Sequence, residues 1–282
     1  MPNEKQITIF EVGPRDGLQN VKNNIATADK VGLINALSKT GLTKIEATSF
    51  VNPKWIPQLA DAKEVMAQIE RHKHVDYSVL TPNCVGLERA IVAKADEVSI
   101  FTSASEGFCQ ANLNCTIEQS FERFVPLMQK AKSAGIKVRG YISNIIECPF
   151  DGVTDPSVVA VLTKRLIDIG CYEVSLGDTL GKGDKNSVKR LMQQVIKQVS
   201  AQQLAGHFHD TYGRALENVD VCLEFGVSVF DSSIGGIGGC PYAPGAKGNV
   251  ATEKLVQHVE GFGFKTGVDV DALHSIAQNL PS

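Results

Sequence analysis

The stretch ITIFEVGPRDG, residues 7–17, starts as a β-rich run and breaks into a turn punctuated by Gly13, Pro14 and Gly17, with Arg15 and Asp16 side by side inside it. A doubly wound nucleotide-binding sheet would place GxGxxG directly after its first strand, and this turn does not supply it. The run instead opens a series: KIEATSF (44–50), DYSVLT (76–81), EVSIFT (97–102), KVRGYIS (137–143), YEVSLGD (172–178), LAGHFHD (204–210) and VSVFDSS (227–233). Between these strands lie stretches with apolar residues at three- and four-residue spacing, such as ADKVGLINALSKTG, FERFVPLMQKAKSAG and ALENVDVCLEFG, the period of an amphipathic helix. Gly41, Gly135, Gly170 and Gly226 stand where a helix must stop before the next strand. Eight strands alternating with helices predict a parallel sheet closed into an α/β (β/α)8 TIM barrel rather than an open one. No linker, repeat or low-complexity segment divides the chain, so residues 1–282 read as a single catalytic domain whose last twenty or so residues form a helical appendage.

Composition narrows the partners. Hydrophobic residues make up 43% and charged residues 21% of the chain, and the formal charge is −3. That balance offers no general attraction to nucleic acid or to an anionic membrane, and no run approaches the ~20 apolar residues a membrane span needs. MPNEKQITIF enters a strand within a few residues, without a signal-type hydrophobic region or an Arg-rich leader, so a bacterial cytoplasmic location is expected. Seven cysteines (84, 109, 115, 148, 171, 222 and 240), with no CxxC pair, argue against both a disulfide framework and a zinc ribbon.

A barrel of this type carries its active site at the C-terminal ends of its strands, and polar residues collect there. Strand one ends in Arg15-Asp16, strand two carries Glu46, strand five carries Arg139, Tyr141 and Asn144, and strand six ends in Asp178-Thr179. GHFHDTYG, residues 206–213, places His207 and His209 on one face of strand seven, because residues i and i+2 of a strand point the same way. Taken alone, such a pair reads as two ordinary hydrogen-bonded histidines. At the mouth of a barrel and facing Asp16, it reads as part of a divalent-cation site with open positions, and carboxylate ligation suits Mg2+ or Mn2+ better than structural zinc. Arg15 beside such an ion would balance an enolate or hold an anionic substrate. Asp210 would orient one imidazole from behind. The segment SSIGGIGGCPYAPGAKGN, residues 232–249, is too rich in glycine and proline for a helix or a packed strand and reads as a lid, with Cys240 as a loop acid/base. Asn249, where the chain enters VATEKLVQHV, is either a helix cap or a ligand.

These pieces match a family. EVGPRDGLQN, IEATSFVNPKWIPQ, HFHDTYG and GGCPYAPGAKGN strongly resemble the 3-hydroxy-3-methylglutaryl-CoA lyases, metal-dependent barrels of the pyruvate carboxyltransferase-like superfamily, over residues 7 to about 268. The RDG turn and the HxH pair are shared across that superfamily, whereas GGCPYAxGAxGN is specific to the lyases. The resemblance implies cleavage of 3-hydroxy-3-methylglutaryl-CoA, an acyl-CoA substrate, to acetyl-CoA and acetoacetate, as in leucine degradation. It implies Asp16, His207, His209 and Asn249 as ligands of Mg2+ or Mn2+, Arg15 as stabiliser of the enolate and Cys240 as the proton-transferring cysteine. Glu46, Tyr141 and Asp178 correspond to supporting positions and Lys22 to a lysine near the acyl-CoA, and a homodimer is implied as well. Val21 stands where the family often has Glu; ASEGFCQANLN (104–114) lacks the adjacent lysines of animal members; and Glu147 and Phe150 replace a common Gly and Tyr. These departures leave the acyl group open, so a lyase for a longer branched 3-hydroxyglutaryl-CoA is one alternative. A Claisen-condensing synthase of the isopropylmalate or homocitrate type is another, without an explanation for the cysteine loop.

Overall fold

The computed structural model describes residues 6–239 and 248–280. Eight parallel strands close into a barrel: β1 (Thr8–Glu11), β2 (Lys44–Ser49), β3 (Asp76–Leu80), β4 (Glu97–Ser103), β5 (Lys137–Ser143), β8 (Glu173–Asp178), β9 (Leu204–Phe208) and β10 (Val229–Ser232). Each pairs with its sequence neighbour in the barrel, and β1 closes the ring against β10. Every one falls on a stretch anticipated above, because short β-rich runs alternate with helical periods; helices cover the outer face of each strand and the inner face packs the barrel. β8 is buried along its whole length.

The outer layer comprises α1 (Thr27–Leu37), α2 (Ala62–Gln68), α3 (Cys84–Val92), α4 (Glu106–Leu113), α5 (Ile117–Ser133), α6 (Pro156–Asp168), α7 (Lys185–Val195), α8 (Ala215–Glu224), α9 (Thr252–Gly261) and α10 (Val270–Gln278). Local chemistry sets their ends. Thr116 accepts the Gln119 N–H while the Gln119 side chain returns to the Thr116 N–H, a reciprocal capping box that starts α5. After α1 and α6, Gly41 (φ 92°) and Gly170 (φ 110°) turn the chain toward the next strand in a backbone region that side chains rarely tolerate. The C-terminal appendage is α10, which packs on α1, on α9 and on the tight turn Ile234–Gly236 that follows β10.

Two features go beyond the expected alternation. The loop after β4 contains an additional helix, α4, and the segment after β5 forms a small antiparallel hairpin, β6 (Glu147–Cys148) with β7 (Gly152–Val153). Both follow the C-terminal ends of their strands, and α4 walls the cavity described next. Among the described residues, no helix is long and apolar enough to cross a membrane, and the six described cysteines are free thiols, five of them buried.

Candidate active site

The barrel axis is filled from below by Arg139 of β5, which is completely buried. Its guanidinium forks onto Asp231 of β10 (Nη2 to Oδ1 2.7 Å, Nη1 to Oδ2 3.1 Å), and its Nε donates to Glu173 at 2.7 Å. Asp231 also accepts the Ser175 hydroxyl at 2.7 Å and lies 3.0 Å from His207 Nδ1. Burial opposes the Asp231 charge, but Arg139 and then His207 hold its carboxyl far below the ordinary range. With Nδ1 tied to Asp231, His207 presents Nε2 to the cavity, as a ligating histidine with a carboxylate behind it does.

Asp16 enters from the turn after β1, the other neighbour of β10. One ligand atom each from Asp16, His207 and His209 lies within 4.8 Å of the others. An ion with ~2.1 Å bonds spaces its ligands by ~3–4 Å, so a modest contraction would close this set around one. His209 follows the last residue of β9 and bridges to Asn249; among the described residues its buried Nδ1 has no partner, an orphan that a ligand would satisfy. Burial above all, and then His207, depress its pKa to about 4 against the pull of Asp16. For Asp16, burial pushes upward but Arg15, the two histidines and the Asn249 amide hold the carboxyl at about 2. A neutral imidazole and an ionised carboxylate are the forms a divalent cation requires.

Asn249 does not cap the following helix: α9 begins at Thr252, and the position before it is Ala251. The Asn249 side chain turns inward, and Nδ2 donates to Asp16 Oδ2 at 2.7 Å, which places an amide beside the candidate ligands. Asp210 does not orient an imidazole. Its carboxylate accepts the Ala215 N–H at 3.1 Å where the chain turns into α8. His207 pairs instead with Asp231, its register partner on the neighbouring strand.

Arg15, 6% exposed, is fixed from two sides. Nε donates to Glu46 Oε2 at 2.6 Å and Nη1 to Asp16 Oδ1 at 2.7 Å, while the guanidinium lies over the Tyr141 ring, 5.6 Å from its centroid. Burial works against its charge, but Glu46 and Asp16 outweigh that and raise its pKa above the ordinary arginine value. Nη2 has no protein partner among the described residues, so the cation is aimed with a donor to spare. Glu46 is completely buried and also accepts the Ser99 hydroxyl. The Tyr141 hydroxyl is buried without a partner, and burial, then the Glu46 carboxylate, raises its pKa well above the ordinary value.

Above this floor opens a cavity of about 770 Å3 lined by Arg15, Asp16, Tyr141, His207 and His209 and, farther out, by α4 and the Val51–Ile56 segment. Asp178 is not among its lining residues. The carboxylate turns into the loop after β8, where it accepts the Lys182 and Gly183 N–H groups at 3.2 and 2.7 Å, and burial raises its pKa to about 6 against those bonds. Lys22 is exposed and lies away from the cavity lining. Cys240 lies outside the described residues; Gly239, directly before it, lines the cavity, and its carbonyl accepts the Asn20 amide at 2.9 Å. Asp231 and Glu11 were not singled out in the sequence. The only signal either carried was an acidic residue within a β-rich run.

Fold and site define a TIM-barrel protein with a three-residue candidate cation centre, built from the first and seventh barrel strands and held by the eighth. The HMGL-like family matches residues 6–280, and the chain belongs to that family. It is 53% identical to the HMG-CoA lyase of Brucella melitensis, whose crystal structure superposes with a TM-score of 0.96 over 97% of each chain. It is 49% identical to the 3-hydroxy-3-isohexenylglutaryl-CoA/hydroxymethylglutaryl-CoA lyase of Pseudomonas aeruginosa, over 98% of this chain and 92% of that one. An HMG-CoA lyase from Acinetobacter baumannii, solved in complex with coenzyme A and 3-methylmalate, is 40% identical, with a TM-score of 0.93 over 98% of this chain and 90% of that one.

Proposed function

We propose that this protein is a carbon–carbon lyase that cleaves 3-hydroxy-3-methylglutaryl-CoA to acetyl-CoA and acetoacetate. The observation that carries the reading is the junction of Arg15 with Asp16, His207 and His209 at one end of the cavity, in a chain about half identical to enzymes of that name. Asp16, His207, His209 and Asn249 would hold Mg2+ or Mn2+, and such an ion, when bound, makes a substrate hydroxyl more acidic and orients its oxygens.

The remaining chemistry falls to the chain. Breaking the C2–C3 bond leaves negative charge on the thioester enolate, and Arg15, locked by Glu46 with Nη2 free, is the group that balances it. The hydroxyl proton passes to Asp16 or to a group beside it; Asp16, whose carboxyl is held at about 2, is suited to ligation and is a weak base for that step. The Tyr141 ring supports the Arg15 guanidinium, 5.6 Å from its centroid. Cys240, one residue past the cavity-lining Gly239, delivers the proton that turns the enolate into acetyl-CoA. A CoA thioester is therefore the partner, and we take the working assembly to be a homodimer in a bacterial cytoplasm. Steady-state cleavage with and without EDTA tests the reading, with acetoacetate formation expected in excess Mn2+ and lost on chelation. No acetoacetate under metal-replete conditions would sink it; light scattering at micromolar concentration tests the dimer.

A second substrate has an observation in its favour. The outer cavity wall includes Val51, Trp55, Ile56, Leu80, Phe101 and Phe108, an apolar surface suited to a branch longer than methyl. A 3-isohexenyl substrate turned over within ~10-fold of the methyl one would support that breadth, since an apolar pocket discriminates only weakly between chain lengths.

A further inference from the structure

Glu11, the last residue of β1, is completely buried and does not line the cavity. Its carboxylate nevertheless touches three segments that build the site. Oε1 accepts two backbone N–H groups, from Gly13 at 2.7 Å and from Ile234 at 2.9 Å, and Oε2 accepts the Thr252 hydroxyl at 2.6 Å. Gly13 opens the turn that carries Arg15 and Asp16. Ile234 opens the glycine-rich segment that runs past Gly239 to Cys240. Thr252 begins α9 three residues after Asn249. One oxygen atom thus ties the two loops together at their roots.

The packing around that oxygen has no slack. A Cβ on Gly13 would sit 2.6 Å from Glu11 Oε1, and one on Gly17 would sit 2.6 Å from Ile237 Cγ1. A Cβ on Gly238 would meet Gly17 Cα and Asn249 Nδ2, each at 2.9 Å. The loops therefore lie backbone against backbone, and Glu253, the residue after Thr252, adds a second acceptor by taking the Gly235 N–H at 3.0 Å.

We infer that Glu11 is a positioning residue for the lyase reaction, fixing the Arg15–Asp16 turn and the root of the Cys240 loop in one register. It acts as a hydrogen-bond acceptor and not as a charge. An amide in its place can offer its carbonyl to Gly13 and Ile234 and its NH2 to Thr252, whose hydroxyl then donates to Ser232 Oγ, 2.9 Å away. The inference rests on the proposed lyase activity only for its kinetic readout.

The test compares Glu11→Gln, Glu11→Ala and Glu11→Asp by thermal melting, kcat and KM on 3-hydroxy-3-methylglutaryl-CoA, Mn2+ affinity by calorimetry, and the rate of iodoacetamide labelling at Cys240 located by peptide mass. Glu11→Gln should stay within ~3-fold of wild type in kcat, KM, Mn2+ affinity and labelling rate. Glu11→Ala should lose ~100-fold in kcat with little change in KM, because misplacement of reacting groups by about 1 Å costs that much. It should also bind Mn2+ ~10-fold more weakly, as when a ligand loses its support, and label faster at Cys240. If Glu11→Ala does not fold, Glu11→Asp, one methylene too short to reach Ile234, should show the same pattern in weaker form. Two results would overturn the inference: a folded Ala or Asp variant with kcat and Mn2+ affinity unchanged, or a Gln variant as impaired as Ala. An inactive wild type would remove the lyase reading but leave Mn2+ affinity and Cys240 labelling to decide the role of Glu11.

Discussion

Asp231 is where the framework and the chemistry meet. It takes both Nη groups of Arg139, the Ser175 hydroxyl and His207 Nδ1, so the orientation of one candidate ligand depends on a cation buried at the barrel centre. Asp231→Asn removes the charge that offsets Arg139 and offers donors where acceptors are needed. The expected outcome is a ~10–100-fold loss in Mn2+ affinity by calorimetry and a destabilisation of about 3 kcal/mol by urea melting, since the buried Arg139 cation is left with Glu173 alone to balance it. Mn2+ affinity equal to wild type would show that His207 is oriented without it. Arg15→Gln should separate the two halves of the site: turnover falling ~100–1,000-fold, as for loss of one charge-stabilising donor, with Mn2+ affinity within a few-fold because the three candidate ligands remain. The pairing of His207 with His209 was readable in the sequence because a strand puts residues two apart on one face. The support behind His207 was not, because Asp231 lies 24 positions away and reaches it only through the β9–β10 register.

At the scale of elements, the eight barrel strands were legible because short β-rich runs recur between stretches of helical period, several of them closed by a glycine. The hairpin β6–β7 was not legible. Its two-residue strands are too short to show a period, and it is held by long-range bonds such as Asp151 to Ser105 Oγ (2.6 Å) and to the Gly107 N–H (2.9 Å). The glycine-rich segment was legible as irregular, but its partner was not: its root packs against the turn after β1. Gly17→Ala tests that packing, because its Cβ would press on Ile237 and on Ser233 Oγ, 2.8 Å away. A loss of ~1–3 kcal/mol is expected for overpacking, with at least a tenfold fall in kcat as Asp16 shifts. Gly32→Ala is the control. It lies inside α1 with nothing within 4 Å of the added methyl, so stability should rise by ~0.5–1 kcal/mol with activity unchanged. A Gly17→Ala enzyme as active as that control would mean that the two loops do not share a register.

For the whole molecule, the buried acids set how stability varies with pH. Glu11 is raised from 4.5 to about 7 by burial, which outweighs the Thr252, Ile234 and Gly13 bonds, and Asp178 is raised to about 6 by burial in the same way. A carboxyl whose folded pKa lies above its unfolded value keeps its proton in the native state while the unfolded chain releases one. The stability contributed by these two carboxyls therefore falls as pH rises from about 4 to 7 and stays lower above that. Two groups act with the opposite sign: His209, lowered from 6.5 to about 4, withdraws support as pH falls from about 6.5 to 4 and so offsets part of that trend, and Asp16, held at about 2, withdraws its support as pH falls from 3.8 to about 2. Glu11→Gln isolates the largest rise among these acids, since the amide keeps the acceptor and cannot ionise. Relative to wild type, the variant should be more stable by under about 1 kcal/mol at pH 5 and by about 3 kcal/mol at pH 8, the linkage value of a shift of this size. Urea melts of both proteins at pH 5, 6.5 and 8, with EDTA present to remove cation binding, would read the difference directly. A difference that stays flat across those three pH values would mean that Glu11 ionises as freely in the fold as in the unfolded chain.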